Sequence, residues 1–224
     1  MKEFIKQNKV YHFKDWNKEQ VFVHFSTRLG GVSTAPYQHL NLALNVGDND
    51  NDVVCNRQIY ADLIGVNLNN FVYANQTHSD RLYEVTHLDK QRGVFTMDTS
   101  IDNIDCLYSF EFDVVLNLFY ADCTPIYFRS VADNLIGIIH AGWQGSVKEI
   151  TYKSLDYLIK KHHLDPNNIE VLIGPSISKN SFEVEQDVID KIPSTLDYSS
   201  CYSKKDLTKY NLDVKLMNKI QANA

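Results

Sequence analysis

The chain has 224 residues, 44% of them apolar and 22% charged, which is typical of a globular protein and excludes a disordered or fibrous one. Its net charge of −6 disfavours a nucleic-acid groove or an anionic membrane surface as the main partner. No signal-peptide region or membrane-length apolar run occurs, and four cysteines are too few for a secreted disulfide scaffold. We therefore expect a soluble, cytosolic protein whose oligomeric state the sequence leaves open.

Short segments rich in β-branched and aromatic residues, each bounded by Gly, Asp, Asn or Pro, predict the strands. In chain order they are 21–26, 71–74, 81–86, 105–109, 114–119, 125–129, 135–140 and 169–174, with a weaker candidate at 181–184.

Apolar residues at helical spacing predict fewer helices. These are Asp52–Ile64, capped by Asp50 or Asn51 and ended by Gly65, then Ser146–His163, Val184–Ile192 and Leu212–Gln221. Strands crowd the middle of the chain without strict βαβ alternation, and no linker or repeat divides it. The pattern predicts a mixed α/β or α+β fold in a single domain, 1–224.

Polar residues that could take part in catalysis or binding follow two of the predicted strands. One strand runs into Asp122 and Cys123, and another delivers His140 into a turn that contains Gly142 and Gly145. Such strand ends favour function because a rigid sheet positions the groups while the loop leaves them open. A third polar cluster, residues 75–80, supplies Gln76 and His78.

One cysteine and two histidines are suitable ligands for zinc, and they leave a fourth coordination position open for water. Zinc bound in this way would lower the pKa of its water to about 7. Two other interpretations remain open for His78, Cys123 and His140. They are a buried structural cysteine with two hydrogen-bonded histidines, or a metal-free nucleophile–base pair. Arg28, which precedes Gly30 and Gly31, would bind a phosphate or carboxylate, unless residues 26–33 form a plain glycine turn.

The chain resembles a known family through motifs that occur in order between residue 26 and about 184. The family is that of the laccase-domain proteins, also described as polyphenol oxidases or peptidoglycan editing factors and now regarded as purine nucleoside phosphorylases. The matching motifs are Ser26-x-Arg28-x-Gly30-Gly31-x-Ser33, Asn41-Leu42, Gly47-Asp48, Asn56-Arg57, Gln76-x-His78, Asp105, Ala121–Pro125, Ile138–Gly145, Ile173–Ile177 and Phe182–Val184.

The resemblance implies a four-layer α-β-β-α fold of mixed sheets flanked by helices. It also implies a metal ion, zinc or alternatively copper, at His78, Cys123 and His140. The implied reactions are phosphorolysis of adenosine, inosine and methylthioadenosine and deamination of adenosine. Purine nucleosides and phosphate are then the partners, with Arg28 and Gln76 binding substrate and Asp122 assisting the departing base. The alternatives are a copper-dependent phenol oxidase, a metal-free cysteine hydrolase and a non-catalytic, cell-wall-related binding protein.

The chain departs from the family pattern at three places. Gln144 stands where the family usually has Arg or Lys, and Cys106 follows Asp105 where an alanine is usual. Family members also continue past a helix like Leu212–Gln221, whereas this chain ends at Ala224. The chain is then either a naturally short member or a truncated one, and tail residues that close the pocket would be missing.

Overall fold

The computed structural model describes residues 4–7 and 9–224. The chain forms two compact units. The first contains the described residues up to Asn75 together with Val85–Asp102 and Ser109–Phe119. The second contains Gln76–Glu84, Asn103–Tyr108 and Tyr120–Ala224. No helix in the described ranges is both long and apolar enough to cross a bilayer.

Most of the strands lie in runs between the helices. The strands are β1 (Phe4–Gln7), β2 (Val10–Phe13), β3 (Val23–Ser26), β4 (Phe71–Asn75), β5 (Leu82–Glu84), β6 (Ile101–Asp102), β7 (Cys106–Ser109), β8 (Val115–Asn117), β9 (Thr124–Ser130), β10 (Leu135–Ala141), β11 (Glu170–Ile173), β12 (Glu183–Glu185), β13 (Tyr202–Lys204) and β14 (Lys209–Leu212). The helices are α1 (Asp50–Ile64), α2 (Trp143–Val147), α3 (Ile150–His162), α4 (Gln186–Ile189) and α5 (Val214–Ala222).

The first unit combines two three-stranded sheets with helix α1. One sheet is antiparallel in the order β1-β2-β3, and in the other β4 pairs in parallel with both β6 and β8. Asn49 begins α1 by accepting hydrogen bonds from the N–H groups of Asn51 and Asp52, so the predicted cap at Asp50 or Asn51 was wrong. Gly65, with φ 71°, ends the helix as predicted.

The second unit is built on a five-stranded sheet with the order β11-β9-β10-β7-β5. Strand β9 is buried along its whole length, and its central residues 125–128 are apolar. A smaller antiparallel sheet, β12-β14-β13, packs its apolar residues with those of α4 and α5 around Met217 and Cys201. The prediction of an α+β fold with several mixed sheets and flanking helices is confirmed.

The predicted helix Ser146–His163 is two helices, so that prediction was wrong. Glu149 interrupts it with φ 62°, and its carboxylate is buried. The Glu149 carboxylate accepts hydrogen bonds from the hydroxyl groups of Tyr198, at 3.0 Å, and Thr195. These contacts, which no helical periodicity shows, hold the residue in a left-handed conformation that a continuous helix forbids.

The elements predicted near the C-terminus also differ from the observed ones. Residues 183–185 form β12, so of the predicted helix Val184–Ile192 only Gln186–Ile189 is helical, as α4. Leu212 belongs to β14, and the last helix starts at Val214 instead. Strands β1, β2, β6, β13 and β14 were not predicted, because strands of two to four residues carry little periodic signal.

Candidate active site

Four segments of the second unit meet at one end of its five-stranded sheet. Strands β9 and β10 are antiparallel with Pro125 opposite His140, so the start of β9 adjoins the end of β10. Strands β5 and β7 are parallel with Leu82 opposite Cys106, so the residues that precede both strands lie at the same end. The N–H group of His140 donates to the C=O group of Asp105 at 2.7 Å, which joins β10 to the start of β7.

This arrangement brings together the three residues predicted as metal ligands. The ligand atoms of His78, Cys123 and His140 all lie within 4.8 Å of one another. The Cys123 Sγ atom is 3.9 Å from His78 Nε2, and the two imidazole centroids are 4.8 Å apart at 72°. His140 is buried, whereas His78 and Cys123 are half-buried, which leaves one side of the group accessible.

A buried carboxylate, Asp105, underlies this group. One of its oxygens accepts hydrogen bonds from the Ser79 N–H and hydroxyl groups, at 2.7 and 2.8 Å, and from the Thr77 N–H, at 3.2 Å. The other oxygen accepts from the His78 N–H, at 3.1 Å, and contacts His140 Nδ1 at 2.7 Å. Asp105 is fully buried, so these partners replace its lost hydration.

The electrostatics of the two histidines differ. Burial lowers the pKa of His78, and the positive charges of His140 and Lys148 lower it further. Burial would also lower the pKa of His140, but hydrogen bonds and charges from Asp105 and Cys123 outweigh burial and raise that pKa to about 9. Burial acts to raise the pKa of Asp105, yet hydrogen bonds from His140 and Ser79 bring it below its usual value.

The shape and donor set of this group fit a metal ion. Tetrahedral zinc with ordinary Zn–S and Zn–N bond lengths separates its sulfur and nitrogen ligands by about 3.6 Å. The observed separation of 3.9 Å between Cys123 Sγ and His78 Nε2 is close to that value. A Cβ atom at Gly142 would lie 2.7 Å from His78 Cδ2 and 3.1 Å from Cys123 Sγ, so only glycine leaves the space beside the ligand atoms open.

The remaining predicted site residues lie in both units. Asp122 is exposed and directly precedes Cys123, and Gln76 is half-buried two residues before His78. Both belong to the second unit, as do the three predicted metal ligands, His78, Cys123 and His140. Arg28 lies in the first unit, with an exposed side chain and a C=O group that accepts from the N–H groups of His39 and Leu40.

Sequence reasoning missed three residues of this region. Asp105 stood out only as a motif position before a strand, and its contacts come from residues 26 to 35 positions away. Lys148 donates from Nζ to the His78 C=O group at 2.8 Å, and the Tyr120 ring lies 5.6 Å from the His140 ring. Tyr120 lies three residues before Cys123, and no motif or spacing in the sequence distinguishes it.

Comparison with known proteins places the chain in a family. Residues 22–224 match the family described as "Multi-copper polyphenol oxidoreductase laccase". The chain belongs to this family. It is 36% identical to the purine nucleoside phosphorylase YlmD of Bacillus subtilis, over 92% of this chain and 77% of that protein.

Solved structures agree with that assignment. The chain matches the crystal structure of YlmD from Geobacillus stearothermophilus with a TM-score of 0.94 and 31% identity, covering 98% of this chain and 83% of that one. It matches the hypothetical protein YfiH of Bacillus licheniformis with a TM-score of 0.93 and 34% identity, covering 97% and 81% of the two chains. The resemblance inferred from the sequence motifs is therefore confirmed, and the relatives' names support an enzyme of the purine nucleoside phosphorylase kind.

Proposed function

We propose that this protein is a zinc-dependent purine nucleoside phosphorylase that acts on adenosine, inosine and methylthioadenosine and also deaminates adenosine. The supporting observation is the convergence of His78, Cys123 and His140 in a chain whose relatives carry the name purine nucleoside phosphorylase. Three protein ligands leave a coordination position open, as catalytic zinc sites require. Zinc, when bound, would act as a Lewis acid and would lower the pKa of its bound water to about 7, so that hydroxide is available at neutral pH.

Each residue has a proposed task in phosphorolysis, in which phosphate attacks C1′ of the ribose and the bond to the purine breaks. Arg28 is the proposed cation for phosphate, because a guanidinium presents paired donors that match its oxygens. Asp122, which is exposed beside Cys123, would assist proton transfer to the departing base. Gln76 would donate or accept a hydrogen bond with the nucleoside. His78, Cys123 and His140 hold the metal ion.

Deamination of adenosine would use the same three residues, with water adding to C6 of the adenine and ammonia leaving, whereas in phosphorolysis phosphate attacks C1′ and the purine leaves. Truncation of His78 or Cys123 should then remove both activities together. Retention of phosphorolysis in a metal-depleted Cys123→Ala variant would contradict this shared site.

Copper-dependent phenol oxidation fits the donor set less well. In the part of the chain that the structure describes, one group of three His, Cys, Asp or Glu ligands occurs, which provides for a single metal ion. Coupled multi-electron reduction of oxygen usually needs several coppers, and a blue-copper centre also takes a weak axial methionine. We therefore do not base the proposed reaction on the description of the family as a laccase.

The proposal is tested by chromatography of products after zinc-loaded protein is incubated with adenosine, with and without phosphate. Adenine formed only with phosphate supports a phosphorylase, and inosine in both tubes supports the deaminase reaction. His78→Ala should abolish both products, whereas His87→Ala, which changes an exposed histidine of the other unit, should retain them.

Other outcomes separate the alternatives. Loss of activity on alkylation but not on chelation would favour a metal-free cysteine hydrolase. Absence of every product from folded, zinc-loaded protein would overturn the enzyme proposal in favour of a binding role. A raised KM for phosphate in Arg28→Lys, with the KM for adenosine unchanged, would support the role of Arg28.

A further inference from the structure

Asp105 connects two of the three proposed metal ligands through one carboxylate. His78 lies in the loop before β5 and His140 at the end of β10, so they reach the site from different elements. The Asp105 carboxylate accepts from the His78 N–H at 3.1 Å and contacts the Nδ1 atom of His140 at 2.7 Å. A single side chain thus fixes the backbone of one ligand and the imidazole of the other.

The loop that carries His78 depends on this carboxylate for its shape. His78 has φ 57°, in the left-handed region that costs non-glycine residues energy. Three consecutive N–H groups, those of Thr77, His78 and Ser79, point at the Asp105 oxygens over 2.7 to 3.2 Å. Such convergence of neighbouring N–H groups on one anion compensates the strained backbone at the residue whose Nε2 atom faces Cys123.

The imidazole of His140 is fixed in a different way. Its Nδ1 atom lies against an Asp105 oxygen, which can only accept, so Nδ1 must carry the proton. The Nε2 atom of His140 is then the nitrogen available to a metal ion. Carboxylate partners of this kind orient ligating histidines and increase their basicity.

We propose that Asp105 is a positioning residue that sets the metal affinity of the site formed by His78, Cys123 and His140. The inference rests on the metal site assumed in the proposed function. Asparagine has nearly the same size as aspartate but carries one acceptor and an N–H₂ group. In Asp105→Asn the N–H₂ group of the new side chain would face either the N–H donors of the His78 loop or Nδ1 of His140. In the second case Nδ1 becomes an acceptor and the proton moves to Nε2, where it blocks coordination.

The test is a competition titration of zinc against a chromophoric chelator, using metal-free wild type and Asp105→Asn. We expect the variant to bind zinc about 10- to 100-fold more weakly, the range measured for such outer partners. Ser79→Ala is the matched control. It removes the hydroxyl bond to the same carboxylate but leaves both contacts to the ligand residues, so its affinity should stay within about threefold of wild type.

Two further measurements keep the inference falsifiable. Circular dichroism of the metal-free variants in chelator shows whether Asp105→Asn is folded. In ¹⁵N-histidine-labelled, zinc-loaded wild type, NMR should show His140 protonated at Nδ1 and coordinated through Nε2. Coordination through Nδ1 would overturn the inference even if the variant failed to fold.

The outcomes separate this inference from the proposed function. Equal zinc affinity of wild type and folded Asp105→Asn would overturn the role of Asp105 alone. Tight zinc binding that Asp105→Asn weakens, without any phosphorolysis by wild type, would support the role of Asp105 and overturn the proposed function. Failure of wild type to bind zinc would overturn both.

Discussion

Gly142 lies directly against the atoms that would hold the metal. A Cβ atom there would come within 2.7 Å of His78 Cδ2, far inside van der Waals contact, so His78 or the backbone must move. We predict that Gly142→Ala lowers zinc content and reduces kcat/KM for phosphorolysis by about 10²-fold, the size of effect that a displacement of about 1 Å produces at a catalytic group. Metal analysis and initial rates on the same preparation measure both quantities.

Gly145, which lies in helix α2 and not in the predicted turn, provides the control for that substitution. Its added Cβ would meet the Ser79 C=O oxygen at 3.3 Å and the Ile150 side chain at 3.4 Å, which requires only slight adjustment. Gly145→Ala should therefore keep most of the zinc and the activity. If both variants behaved alike, the effect would reflect the segment 142–145 as a whole and not the space beside the ligand atoms.

At the scale of elements, helix α5 is fixed to the helices that follow the site by buried amides. Asn218 donates to the Ser146 hydroxyl at 2.8 Å and accepts from the Thr151 hydroxyl at 2.7 Å. Gln221 donates to the Ser146 C=O group at 2.8 Å. Ser146 lies in α2, immediately beyond the turn that carries Gly142, so α5 supports the segment that shapes the site.

We predict that Asn218→Ala destabilises the protein by about 3 kcal/mol, because it leaves buried hydroxyl groups without their partner. Urea unfolding followed by circular dichroism measures the change. Lys219→Ala, at an exposed position of the same helix, should change stability by less than about 0.5 kcal/mol. A loss below about 1 kcal/mol in Asn218→Ala would show that water replaces the amide at this position.

Strands β2 and β3 carry a pair of facing histidines that makes this sheet sensitive to pH. His12 and His24 are opposite each other, with their Nδ1 atoms 2.9 Å apart. Burial, followed by the charge of His12, lowers the pKa of His24 from 6.5 to about 4. The pKa of His12 is also lowered, by burial and by the charge of Lys14. One imidazole must accept the proton of the other, so both cannot be charged without loss of this contact.

The sign of the pH effect follows from the lowered pKa. The unfolded chain binds a proton at His24 below pH 6.5 more readily than the folded chain does, so stability falls as the pH decreases from about 6.5 towards 4. His24→Gln should make the free energy of unfolding less dependent on pH in that window, as measured by urea midpoints at pH 7 and pH 5. An unchanged difference between the two midpoints would show that His24 titrates normally in the folded protein.

For the whole molecule, the sequence predicted what depends on local pattern. The apolar runs of β9 and β10 are long and bounded, so both strands were located to within one residue at each end. The interruption at Glu149 escaped prediction because its cause is a contact with Tyr198, 49 residues away. The same reason applies to the site. His78, Cys123 and His140 were recognisable by type and motif, whereas Asp105 acts through hydrogen bonds that only the folded chain creates.

Zinc should stabilise the protein through the unit that carries these three residues. A ligand that binds only the folded state adds about 2.7 kcal/mol at 100 times its Kd. For a chain of this size, each kcal/mol raises Tm by roughly 2 to 4 °C, so metal-free protein should gain roughly 5 to 10 °C when zinc is added. Differential scanning calorimetry at fixed pH, with and without zinc, measures the shift. His78→Ala should abolish the shift, whereas His87→Ala should keep it, because His87 lies in the other unit. An equal shift in His78→Ala would place the stabilising zinc elsewhere in the chain.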